Sequence, residues 1–189
     1  MKCPSKLGLT AIITAGLVAC GGSDSPDDAP AASEPAAAPA AASASGIPDW
    51  YQIDNDAETV VLQIAAQMDG GWKMNGMALG AGTITVPVGY EITVEFTNDD
   101  PAMAHSLGID AQVGGYPAMF EDPQPAFSGA VTGDPTSMTE STLPGETESF
   151  TFTADAAGEY AMVCYIPAHA VTGMWVRFNV SDGEPGVST

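Results

Sequence analysis

The stretch YAMVCYIPAHAVTGM, residues 160–174, sets Cys164, His169 and Met174 at equal intervals along the chain. A thiolate, an imidazole and a thioether so spaced can meet around one ion if the chain between them turns back. Pro167 and Gly173 are residues that limit and permit such turns. The one other histidine of the chain, His105, opens the segment HSLGI. Together the four side chains make a donor set for copper in both oxidation states. The thiolate is soft enough for Cu(I), the imidazoles accommodate Cu(II), and a methionine supplies a long axial contact. Each residue also has a plainer reading. A free cysteine is commonly a buried small hydrophobe, a lone histidine is more often structural than a ligand, and Met174 beside Trp175 suits a core strand. Zinc held by a cysteine and two histidines is the chemical competitor, though it calls for a stronger fourth ligand than methionine, or for a water.

Strands must deliver these side chains. Residues 58–68 (ETVVLQIAAQM) suit a strand with one buried face, their alanines leaving a short helix open. Residues 83–89 and 90–98 read more cleanly: Ile92, Val94 and Phe96 point one way, and Glu91, Thr93, Glu95 and Thr97 the other. HSLGID forms a short strand with His105 at its start. Residues 147–154 alternate, with Phe150 and Phe152 on one side. YAMVCYI ends an incoming strand at Cys164, and MWVRFNV begins an outgoing one at Met174, with Trp175, Arg177 and Asn179 opposite Val176, Phe178 and Val180. Residues 111–139, rich in Gly, Pro and Met, read as loop or short helix. NGMALGAG, residues 75–82, lacks the lysine and helix of a phosphate loop and reads as a turn between edge strands. Short strands separated by turn signals such as LPGE and AAGE indicate an all-β sandwich or barrel.

Outside that region the chain changes character. Residues 1–19 carry Lys2 and Lys6 and then an apolar run, the pattern of a signal peptide. LVAC followed by Gly21 resembles a bacterial lipoprotein box, which implies lipidation at Cys20. Residues 20–46 are Ala, Pro, Ser and acids, unable to form a core, and read as a disordered spacer. Residues 47–189 hold the domain. Processing at Cys20 removes Cys3, commits Cys20 to lipid and leaves Cys164 as the single thiol, so no internal disulfide is expected.

The segment VCYIPAHAVTGM resembles the copper-binding loop of the cupredoxins in its C-x4-H-x4-M form. Its length is closer to sulfocyanin and rusticyanin than to plastocyanin. The upstream NGM…TITVPVGYEITVEFTN…HSLGI is similar to the sulfocyanin pattern, so the resemblance runs over about residues 72–180. It implies a cupredoxin-like Greek-key β-sandwich of about seven or eight strands holding one copper ion. By position it makes His105 and His169 equatorial nitrogen ligands, Cys164 the thiolate and Met174 the axial ligand. Ser106 becomes a neighbour whose hydrogen bonding tunes the centre.

The inventory also sets function classes aside. Asp and Glu number 24 against 4 Lys and Arg, a net charge of −20. That surface repels nucleic acid, whose binding depends on basic side chains, and bare anionic membrane. It favours a basic partner. A catalytic copper centre needs further histidines, and the proposed site uses both that the chain has, so electron transfer rather than catalysis is expected. The partner expected is a basic redox protein such as a c-type cytochrome or a terminal oxidase. The chain itself is expected to be a monomer anchored by lipid in a bacterial envelope and facing the periplasm, on the outer membrane where there is one. His169 is the expected solvent-edge ligand, ringed by an uncharged electron-entry patch of Ile166, Pro167, Ala168, Ala170 and Val171. A copper carrier or storage lipoprotein, drawing on Met103, Met119 and Met138, is the competing function. A metal-free envelope sandwich is the structural one.

Overall fold

The computed structural model describes residues 47–189. The signal segment, the spacer and Cys20 lie outside the described residues. Ten strands form two five-stranded sheets, and no helix occurs among the described residues. The first sheet holds β1 (Tyr51–Asp54), β2 (Thr59–Met68), β3 (Trp72–Met74), β5 (Glu91–Asn98) and β7 (Thr147–Thr153). The second runs in the order β10 (Gly186–Ser188), β4 (Thr83–Val86), β9 (Trp175–Val180), β8 (Gly158–Val163) and β6 (Gly108–Asp110). The pairs β2–β5 and β4–β9 are parallel, and every other named pair is antiparallel. Parallel neighbours need a crossover connection, so each sheet is stitched to the other by chain that leaves and returns.

Alternation sorts the residues as the pleat requires. In β2 the buried apolar set is Val60, Leu62, Ile64 and Ala66; in β5 it is Ile92, Val94 and Phe96. These meet Ile84, Val86, Val176, Phe178 and Val180 of the facing sheet in one core. Each such side chain contributes about 1.5–3 kcal/mol when fully buried. The helix left open for residues 58–68 does not form, because β2 is held on both sides, by β5 along its length and by β1 and β3 at its two ends. Asn75 closes the gap between β1 and β3. Its Nδ2 donates to Gln63 O at 2.8 Å and its Oδ1 accepts from Ala65 N at 2.7 Å.

The second sheet is covered on its far face as well. Ala161, Val163 and Tyr165 pack there with Tyr116 and Ala170, and Val113, Phe120, Val131 and Trp175 lie against them. Residues 111–139 are therefore a cover for that face, built of turns and carrying no named strand. This explains why YAMVCYI is apolar throughout instead of alternating: both of its faces are buried. The strand count exceeds the expected seven or eight because the short strands β1, β3 and β10, of four, three and three residues, add to those the pattern marks.

Candidate metal centre

Two separate segments bring the donors together. Cys164 lies just beyond β8 and keeps its parity: Met162, Cys164 and Ile166 face the core, while Val163 and Tyr165 face outward. The loop to Met174 is folded on itself. His169 N donates to Ile166 O at 3.0 Å, Gly173 N to Ala170 O at 2.9 Å and Met174 N to His169 O at 2.9 Å. Thr172 Oγ1 donates to Ala168 O at 2.7 Å. Cys164 N donates to Met174 O at 3.2 Å, which ties the two ends of the loop together. Ala168 takes φ 72°, a left-handed turn that lets the chain reverse after Pro167.

His105 comes from the other side. It was expected at the start of a strand, but β6 begins only at Gly108. His105 instead makes an isolated bridge to Thr142, donating its N–H to Thr142 O at 3.0 Å. Its Nδ1 lies 3.1 Å from His169 Nδ1 and 3.8 Å from Cys164 Sγ, and His169 Nδ1 is 3.4 Å from the same sulfur. All three side chains are buried, with donor atoms within 4.8 Å of one another. Met174, 1% exposed, completes a type 1 arrangement. Ser106 donates its N–H to the Cys164 sulfur at 3.5 Å, and its Oγ lies 3.8 Å from it. That hydroxyl also accepts Tyr165 N–H at 2.9 Å, so the sulfur's neighbour is itself held in place.

Burial keeps the three donors uncharged while the site holds no metal. Burial pushes the Cys164 thiol up to about 11, against the backbone N–H groups of Ser106 and Ile166. Burial, and then the neighbouring His105, hold the His169 imidazole down at about 4. Burial also lowers His105, opposed by Asp100, whose Oδ2 is 3.0 Å from His105 Nε2. For Asp100 itself, burial raises the carboxyl, but hydrogen bonds from His105, Ala102 and Met103 outweigh it and hold it below the usual range. With its proton on Nε2 facing that carboxylate, His105 presents a lone pair at Nδ1. Two imidazole nitrogens and a sulfur then face a common point, which fits a copper ion.

The expected entry patch is only partly at the surface. Ala168 and Val171 are exposed and Pro167 is half-buried, but Ile166 and Ala170 are buried. Ile166 follows the core-facing parity of β8, and Ala170 sits under the outer aromatic cluster. His169 is likewise no solvent-edge group, being 1% exposed. The Trp72 indole stacks on it, with ring centroids 3.8 Å apart and planes 24° from parallel. Sequence reasoning missed Trp72 and Asp100. A tryptophan on a short edge strand carries no ligand signal, and one aspartate among many acids stands out only once it is seen to be buried. The turn at residues 75–82 links strands of the two sheets and also packs on the site's loop: Leu79 N donates to Gly173 O at 2.7 Å. Leu79 is the most exposed large apolar side chain among the described residues.

A family model described as the sulfocyanin (SoxE) domain matches residues 49–185. Among solved structures, reduced rusticyanin is similar at 26% identity and a TM-score of 0.48, over 69% of this chain and 87% of that one. Rusticyanin from Thiobacillus ferrooxidans is similar at 27% identity and a TM-score of 0.48, over 70% of this chain and 86% of that one. A search of curated protein sequences finds no match. With the family match spanning most of the chain and the four donors gathered at one point, the chain belongs to the sulfocyanin family of the cupredoxins, one-copper electron-transfer proteins.

Proposed function

We propose that this domain shuttles single electrons between redox partners of a bacterial cell envelope. The observation that carries the reading is the burial of His105 Nδ1, Cys164 Sγ and His169 Nδ1 within 4.8 Å of one another. A copper ion bound there supplies a one-electron couple, Cu(II)/Cu(I). The chain's own residues do the rest. Cys164 and Met174 are fixed by their mutual backbone bond, His105 by Thr142 and Asp100, and His169 by Ile166 and by the face of Trp72. Donors held this firmly move little when the charge of the site changes, which keeps the reorganisation small. Ser106, donating to the sulfur, tunes the potential. Burial also favours shuttling over delivery of copper, because a carrier needs donors that partners can reach.

The electron passes over the loop that carries His169. On that loop Ala168 and Val171 are exposed and uncharged, Leu79 is tied to it by the bond from Leu79 N to Gly173 O, 2.7 Å, and the segment of Met119 by the bond from Ala168 N to Ala118 O, 2.7 Å. The partner is a basic redox protein, a c-type cytochrome or a terminal oxidase, attracted by the net charge of −20. A lipid on Cys20 and the spacer at residues 20–46 tether the domain to the membrane.

Adding copper to the purified domain and recording its visible spectrum and redox titration tests the core reading. An intense thiolate-to-Cu(II) band and a reversible one-electron wave are expected, and a colourless copper complex would overturn it. Titrating a basic cytochrome at low and high ionic strength tests the partner: affinity should fall steeply with salt, and salt-independent binding refutes the acidic docking surface.

A further inference from the structure

Among the described residues, Asp100 is the one acidic side chain buried beside the site. It is 1% exposed, and among the described residues no lysine or arginine pairs with it; its side-chain partner is the His105 imidazole. Its two oxygens have different duties. Oδ2 lies 3.0 Å from His105 Nε2, while Oδ1 accepts the N–H groups of Ala102 at 2.9 Å and Met103 at 3.3 Å. Its own N–H donates to Asn98 Oδ1 at 3.0 Å. Asn98, also buried, donates from Nδ2 to Met103 O and to Thr142 O, both at 2.8 Å. Because Thr142 O accepts His105 N–H too, residues 98–105 close into a ring that grips His105 by backbone and by imidazole.

Burying a carboxylate is costly unless it is paired and hydrogen-bonded, and a neutral side chain could cap Ala102 and Met103 at less cost. A carboxylate differs from a neutral cap in two ways. It only accepts, so it fixes the imidazole proton on Nε2 and leaves Nδ1 free to bind. It also brings a full negative charge into a low-dielectric setting on the far side of a ligand.

We propose that Asp100 is a positioning residue for the metal centre: it sets the tautomer and orientation of His105 and selectively stabilises the more positive oxidation state of the bound ion, lowering its reduction potential. This rests on the copper reading of the site. Asparagine is the informative replacement because it keeps the shape and has a single acceptor atom. Asp100→Asn can satisfy the Ala102 and Met103 N–H groups or His105 Nε2–H, but not both.

The experiment compares wild type with Asp100→Asn in three measurements. In the copper-free protein, nitrogen NMR of the imidazoles should show His105 as the Nε2–H tautomer in wild type and a mixture in the variant. In the loaded protein, competition with chelators should show Cu(II) held about 10–100-fold more weakly in the variant, with Cu(I) affinity far less changed. The midpoint potential should accordingly rise, by about 59 mV for each tenfold of that selective loss. A residue that merely latches the loop would weaken both oxidation states alike and leave the potential where it was, and that result overturns the proposal. An Nδ1–H tautomer at His105 in wild type also overturns it, and that measurement stands even if the variant does not fold. Wild type without the thiolate-to-Cu(II) band would sink the copper reading itself, and the proposal with it. A band in wild type with unmoved potential in the variant sinks the proposal alone.

Discussion

Replacing Trp72 with alanine should change the acid–base behaviour of His169 in the copper-free domain. The indole lies 3.8 Å above the imidazole, and the imidazole is 1% exposed. Burial is the first cause holding His169 at about 4 rather than 6.5, with the adjacent His105 second. A depression of that size corresponds to about 3 kcal/mol at 1.36 kcal/mol per unit. Trp72→Ala opens one face of the ring to water but leaves His105 in place, so only part of the depression should be relieved. The His169 midpoint should rise by about 1–2 units, and Trp72→Phe, which restores a ring, should stay near wild type. Proton NMR of the imidazole Hε1 signals across pH reads this directly. The same shift appears in stability. The folded midpoint lies below the unfolded one, so the His169 contribution is complete above about 6.5 and is lost as pH falls toward 4. In Trp72→Ala that acid loss should be smaller and end at a higher pH. A variant that keeps its fold and its midpoint near 4 would refute the idea that Trp72 shields the ligand. A wild-type midpoint near 6.5 would refute the burial argument altogether.

Four further outcomes are expected. Cys164→Ser should abolish the intense visible band and most copper affinity; retention of the band would assign it to another donor. Since the copper-free Cys164 thiol titrates at about 11, loading should release its proton, and apparent affinity should climb about tenfold per pH unit between pH 7 and 9; chelator competition showing a flat profile would contradict this. Gly173→Ala puts a side chain at φ 116° and against Leu79. Leu79 is exposed and can swing away, but the backbone strain stays, so a loss of about 1–3 kcal/mol is expected, or about 3 °C in Tm per kcal/mol. An unchanged melting curve would refute it. Gly108→Ala would set its methyl 2.6 Å from Tyr165 Cε2 and 3.2 Å from Ala130 O. Tyr165 is fully buried and cannot yield, so overpacking of about 1–3 kcal/mol should appear in thermal unfolding; full stability would mean that this part of the sandwich is looser than its packing indicates.

Much of the architecture is written in local pattern. The alternation in β2, β5, β7 and β9 sorts core from surface with no knowledge of partners, because the pleat has a period of two. The donor set is equally local: one thiol, two imidazoles and a methionine define the chemistry by type, and the turn residues between Cys164 and Met174 allow them to meet. β8 behaved differently. Its unbroken apolar run shows that both faces are buried, but nothing local says that residues 111–139 provide the second cover. The strands β1, β3 and β10 are too short for a periodic signal and exist because an edge of β2 or β4 was there to pair with.

By itself the sequence determined which atoms could bind a metal and that three of them lie on a loop joining two strands. Tertiary structure alone decided what stands against those atoms. Trp72 lies over His169 because β3 pairs with the end of β2, Met68 opposite Trp72. Asp100 reaches His105 because Asn98 and Thr142 draw the loop after β5 into a ring. The ligands are therefore legible from residue types, whereas their shielding and their charge environment come from neighbours distant in the chain. Those are the features that separate a buried electron port from an exposed histidine edge, and they depend on sheet packing that no short stretch encodes.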